Sequence, residues 1–151
     1  MKPPNPSSQE DEILLIHINS IKEELNDLHR DLVAHAKVEV NNFWDEARAS
    51  KKVMARGVAI SEKGNYVNIY WLKIVYRRHA DGPQEKPFLI RLPKGRTFRF
   101  SRKSMGRMDA FTESLFIRYE DKFEILRELI SKNKKIYLDL SRMESLLERK
   151  R

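Results

Sequence analysis

Eleven basic side chains fall between Lys73 and Arg107: Lys73, Arg77, Arg78, Lys86, Arg91, Lys94, Arg96, Arg99, Arg102, Lys103 and Arg107. Only Asp81 and Glu85 oppose them in that stretch, a local excess of nine positive charges. The whole chain of 151 residues carries a net charge of +8, so everything outside the stretch is nearly balanced. Guanidinium forks and lysine ammonium groups at this density suit a polyanion, gripped mainly through its phosphates. Arg77, Arg78, Arg91, Lys94, Arg96, Arg99, Arg102, Lys103 and Arg107 are therefore the candidate nucleic-acid-binding residues. The competing reading is a solvated basic face that only keeps the protein in solution.

A local register sharpens the first reading. If Leu92 pairs with Phe98 across a turn at Pro93-Lys94-Gly95-Arg96, then Ile90 faces Phe100 on an apolar side and Arg91 faces Arg99 on the other. Like charges directly across a ladder repel, and an anion would relieve them. Lys94 and Arg96 at the tip, with Arg102 and Lys103 just beyond, would extend that surface. Tyr66, Tyr70, Trp71 and Tyr76 are expected to be core aromatics rather than stacking platforms for bases, with Tyr70 and Tyr76 the exceptions because they share a face with Asn68.

Other chemistry finds little support. The chain has no cysteine, so disulfides, thiolate metal sites and cysteine nucleophiles are excluded. His17, His29, His35 and His79 contain no i, i+4 pair, and neither a glycine-rich phosphate loop nor a G-x-S-x-G elbow occurs. Asp45 and Glu46, and likewise Glu120 and Asp121, sit in helical patterns where solvent-facing roles are expected. No catalytic residue, cofactor or metal is expected, and the reading is of a non-enzyme.

The elements that must hold the basic stretch follow from periodicity. Residues 1–8, with three prolines and two serines, read as a disordered lead-in, and Ser7 or Ser8 with Glu10 and Asp11 offers a capping-box start. Leu14, Ile18, Ile21, Leu25, Leu28 and Leu32 then recur at gaps of four and three, the mark of a heptad seam. Ala36, Val40, Phe43, Trp44 and Ala47 continue the stripe, so one helix is expected over about residues 9–54, with any bend at Asn41-Asn42. Tyr66–Tyr76 is rich in β-branched and aromatic residues and reads as a strand, preceded by a Lys63-Gly64-Asn65 turn and a strand near Gly57–Ile60. After a loop at His79–Pro83, Pro87–Leu92 and Thr97–Phe100 complete a meander over about 57–100. From about Ser104 to residue 149 the helical period returns through Phe111, Leu115, Tyr119, Phe123, Leu126 and Ile130, with Gly106 moving the true start toward Asp109. Asn133 interrupts the apolar seam, as register-fixing polar residues do.

The expected fold is α+β: a long antiparallel, coiled-coil-like helix pair with a small antiparallel β-meander of three or four strands inserted between the helices. Residues 9–151 are expected to form a single domain. Self-association through the heptad seams is the alternative way to cover the stripes. The longest unbroken apolar run is Ile13–Ile16, too short for a bilayer, and no secretory leader stands at the start; a cytoplasmic, soluble protein is expected.

The order of landmarks resembles the MobI-type conjugative transfer proteins. Phe43-Trp44 comes near the end of the first helix, then Ile69-Tyr70-Trp71 in the strand. Phe88-Leu89-Ile90-Arg91-Leu92-Pro93-Lys94-Gly95 is similar to the family's I-R-x-x-K-G-like hairpin, and an acidic, arginine-bearing last helix follows from Tyr119-Glu120 to Leu126-Arg127. Phe111 and Glu113 stand where the family has Trp-Glu. The resemblance implies an accessory DNA-binding factor that helps a relaxase and other transfer proteins assemble at the origin of transfer without cutting DNA. It also implies that Arg91, Lys94 and Arg96 make the first phosphate contacts, flanked by Arg99, Arg102 and Lys103. The alternative function is a helical protein–protein adaptor whose basic sheet docks an acidic partner.

Overall fold

A computed structural model describes residues 6–76 and 86–149 of the chain. The lead-in at 1–5, the predicted loop at His79–Pro83 and the candidate residues Arg77 and Arg78 lie outside the described residues. The element order is α1 (Pro6–Ala49), β1 (Arg56–Lys63), β2 (Tyr66–Val75), β3 (Phe88–Arg91), α2 (Arg102–Met105) and α3 (Ala110–Arg149). This is the expected α+β arrangement, with a three-stranded antiparallel sheet of order β1-β2-β3 between two long helices in the sequence. Among the described residues, no helix is long and apolar enough to cross a membrane.

Helix α1, described from Pro6 onward, takes in Ser7 and Ser8 and runs unbroken through Asn41-Asn42. The helix stops at Ala49, short of the expected residue 54. The stop is unusual: Lys51 takes the left-handed conformation (φ 57°) that glycine normally supplies. Ser50 supports it by donating from Oγ to the Ala47 carbonyl (2.6 Å) and accepting the Lys52 N–H (3.2 Å). With neither Gly nor Pro at this point, the sequence carries no standard stop signal. At the other long helix the expectation near Asp109 holds, since the Asp109 carboxylate accepts the Thr112 N–H at 2.7 Å and α3 starts at Ala110.

The chain divides into two compact units. The first comprises residues 1–32 and 129–151. Here Lys22 reaches Glu144 at 2.9 Å and Asn133 Nδ2 donates to the Leu25 carbonyl at 2.9 Å, so numbers fall on α3 as they rise on α1 and the pair is antiparallel. Its seam is rotated from the expected one. The inward positions on α1 are Leu15, Ile18, Lys22, Leu25, His29 and Leu32, while Leu14, Ile21 and Leu28 are displaced to a flank.

The second unit, residues 33–128, contains the sheet. Phe43 and Ala47 of α1, Trp71 of β2, Phe100, and Leu115 and Phe123 of α3 are each 2% exposed or less and form its core. Trp71 is the hub: Phe43, Phe116 and Phe123 meet its ring edge-on at 5.3, 5.2 and 6.0 Å between centroids. Edge-to-face packing is the arrangement the ring quadrupoles favour. Tyr66 was expected in the core but is exposed, because it opens β2 at the hairpin turn. At the free side of β1, Trp44 donates from Nε1 to the Val58 carbonyl at 2.8 Å, capping an edge-strand acceptor.

The fourth strand does not form. β3 leaves the sheet after Leu92, whose N–H donates to the Trp71 carbonyl at 2.9 Å, and residues 96–99 are bends. The next acceptor in that row of β2, the Ile69 carbonyl, is taken by Arg127 Nε at 3.0 Å instead. Two backbone groups that would have built the ladder turn inward: the Phe98 carbonyl accepts from Arg127 (2.7 Å), and the Phe100 N–H donates to Glu120 (2.8 Å). The Arg91–Arg99 confrontation therefore does not exist.

Candidate nucleic-acid interface

The basic residues beyond β3 lie on a loop fixed from beneath by buried polar side chains. Glu120, predicted to face solvent, is fully buried. Its carboxylate accepts from Trp71 Nε1 (2.8 Å), the Phe100 N–H (2.8 Å) and Arg127, whose guanidinium delivers two bonds at 2.7 and 3.0 Å. A buried carboxylate so fully supplied with donors avoids the large cost of an uncompensated charge. The exit from β3 and the approach to α2 are thereby tied to α3.

A second anchor holds the far side of the loop. Arg56, buried at the start of β1, donates from Nε to the Met105 carbonyl (2.7 Å) and from Nη2 to the Arg107 carbonyl (3.3 Å). Between them, Gly106 has φ 70°, a conformation costly for other residues. Ser101 caps α2 by accepting the Ser104 N–H at 3.1 Å, and Met105 is fully buried. Lys103 and Arg107 thus project from a backbone pinned at Ser101, Met105 and Arg107.

The nine candidates do not share one environment. Arg91, exposed at the end of β3, lies over the Tyr70 ring with its guanidinium carbon 4.2 Å from the centroid. Lys94 is half-buried and donates to the Thr97 carbonyl at 2.6 Å. Burial, followed by the positive charge of Arg127, pulls its pKa below the usual lysine value, with Glu120 partly opposing. Arg99 bridges Asp121 (2.8 Å) and Glu124 (2.6 Å), and these bonds raise its pKa further. Arg102 meets Glu113 at 2.7 Å from an exposed position. Arg96, Lys103 and Arg107 are exposed and have no ion pair among the described residues.

A family model described as MobI protein matches residues 32–141. The chain belongs to the MobI family. The match takes in all of the second unit, with the β3 exit, the basic loop and the Glu120–Arg127 pair. Membership gives the chain a role related to conjugative mobilisation, in an accessory family rather than a known enzyme family. No curated protein and no solved structure matches the chain. Within this MobI protein, the sequence displays the density of basic residues between Lys73 and Arg107 but not the anchors beneath the loop that carries part of it. Their signal was present on α3, where Glu120 and Arg127 share the stripe of Phe116 and Phe123, a charge pair on an apolar face. Arg56 gave none beyond preceding Gly57.

Proposed function

We propose that the protein is an accessory DNA-binding factor of conjugative transfer, acting at the origin of transfer to help a relaxase complex assemble. The observation that carries this reading is the group of exposed cations on the anchored loop: Arg96, Lys103 and Arg107, with Arg91 presented on Tyr70. An ordered loop loses less entropy when a phosphate backbone lands on it than a floppy one does. Arg99 and Arg102 enter with acids already attached, so their contacts to phosphate compete with Asp121, Glu124 and Glu113. The Arg102 pair, being exposed, is weak and gives way readily. Arg77 and Arg78 belong to the same basic stretch and contribute charge in this reading.

The test is fluorescence anisotropy with labelled duplex and single-stranded DNA over a salt series. Binding should weaken with salt, with a slope near 0.9 per phosphate neutralised on duplex. The triple variant Arg96→Glu, Lys103→Glu, Arg107→Glu should lower that slope by roughly 2–3 and abolish binding at moderate salt, whereas Arg99→Gln should have the smaller effect. Unchanged affinity in the triple variant, or no binding by the wild-type chain at low salt, overturns the reading.

A further inference from the structure

The first unit carries an apolar face that its own helix pair does not use. On α1 the inward positions are 15, 18, 22, 25, 29 and 32; on α3 they are 130, 133, 137, 140, 144 and 147. One residue before every second inward position stand Leu14, Ile21 and Leu28 on α1 and Leu129, Ile136 and Met143 on α3. All six are 46–50% exposed, and each set repeats at seven residues. In an antiparallel pair these equivalent heptad positions fall on the same flank, so the six side chains make one continuous strip. The opposite flank carries Asn19, Asn26, Lys134, Ser141 and Glu148 beside the seam, with Ile16 and Leu138 exposed further round it. The position next to the seam is thus apolar throughout on one flank and polar on the other.

Charge selects the cover. The described part of α1 in this unit has seven acidic residues against two basic, and that of α3 has five basic against three acidic. We infer that the strip is covered by a second copy of this chain, related by a two-fold axis running along the helices, giving a four-helix bundle. That axis sets each acidic α1 against the partner's basic α3, with every neighbouring pair antiparallel, as four-helix bundles prefer. An axis across the helices would lay acidic α1 on acidic α1. Self-association here is independent of the DNA-binding reading, since none of the six residues lies in the basic loop.

Sedimentation equilibrium of the full chain without DNA should give twice the 17.9 kDa chain mass. Ile21→Glu with Ile136→Glu should return it to the single-chain mass with helical circular dichroism retained, while Asn26→Glu on the polar flank leaves the dimer intact. Because the protein has no cysteine, orientation can be read by mixing Ile21→Cys chains with Met143→Cys chains. Disulfides should join the two kinds, and Ile21→Cys alone should stay uncrosslinked. A wild-type chain that sediments as a monomer at every concentration overturns the proposal. So does preferential cross-linking of Ile21→Cys to itself, and neither result depends on how the glutamate variant folds.

Discussion

Glu120 and Arg127, seven residues apart on α3, close on each other through two hydrogen bonds of 2.7 and 3.0 Å, and both are buried. Each also serves main chain from elsewhere: Glu120 takes the Phe100 N–H, and Arg127 takes the Ile69 and Phe98 carbonyls. The pair therefore does locally what a fourth strand would have done, satisfying backbone groups at the place where β3 departs. Removing one partner leaves a buried charge and unmet backbone groups together. Glu120→Gln and Arg127→Met should each cost about 3–5 kcal/mol, measured by urea unfolding followed through tryptophan fluorescence. A cost under about 1 kcal/mol would mean that the pair behaves as a surface ion pair.

This pair also shows why the sheet was only partly legible. Strand residues 66–75 and 88–91 declare themselves by β-branched and aromatic content, and the turn residues between β1 and β2 fix their pairing. Thr97–Phe100 has the same composition, so local preference alone sends it back as a strand. What overrides preference is long-range: Phe98 and Phe100 lie 29 and 20 residues from the α3 side chains that capture their backbone. Periodicity likewise found both long helices. It could not fix which edge of a broad apolar stripe faces inward, and the rotation admits Lys22 and His29 to the seam while moving Ile21 out.

Gly57 and Trp44 form a tight contact at the edge of β1. A β-carbon on Gly57 would lie 2.5 Å from Trp44 Cζ2 and 3.4 Å from Ile74 Cδ1. The indole cannot simply retreat, since its Nε1 holds the Val58 carbonyl. Gly57→Ala should destabilise the protein by about 1–3 kcal/mol through overpacking. In a Trp44→Leu background the same change should cost clearly less, the coupling being read from a double-mutant cycle of unfolding free energies. Full additivity would show that the strain arises elsewhere.

Tyr119 links stability to alkaline pH. Burial, and then the Glu46 carboxylate that accepts from its hydroxyl, push its pKa from 10.0 up to about 12. Arg118 and Glu46 are paired at 3.1 Å beside it. Between those pH values the folded protein keeps a proton that the unfolded chain has lost. Stability should therefore be intact below pH 10 and fall as pH rises toward 12, by on the order of 2–3 kcal/mol. Ultraviolet titration should show a late phenolate transition that Tyr119→Phe removes, and the variant's stability should decline less over the same range. An unaltered late transition in Tyr119→Phe would assign it to another tyrosine.

Asn133 sits in the seam of the first unit, 5% exposed, where a leucine would pack. Its amide nitrogen donates to the Leu25 carbonyl at 2.9 Å, but its Oδ1 is buried without a partner. The bond fixes how α1 and α3 are aligned; the unmatched oxygen is the cost of that alignment, typically about 1–3 kcal/mol for a buried polar atom. The Leu25 carbonyl belongs to a continuous helix and keeps its helical acceptor role when Asn133 is gone. Asn133→Leu should consequently raise stability by roughly 1 kcal/mol, seen as a higher urea midpoint with an unchanged slope. The gain should come with looser alignment, because an all-apolar seam tolerates slippage that a single amide forbids. Carbodiimide coupling of Lys22 to Glu144, whose Nζ and Oε2 lie 2.9 Å apart in this alignment, should proceed more slowly in the leucine background. A lower midpoint would show that the single amide–carbonyl bond outweighs the orphaned oxygen.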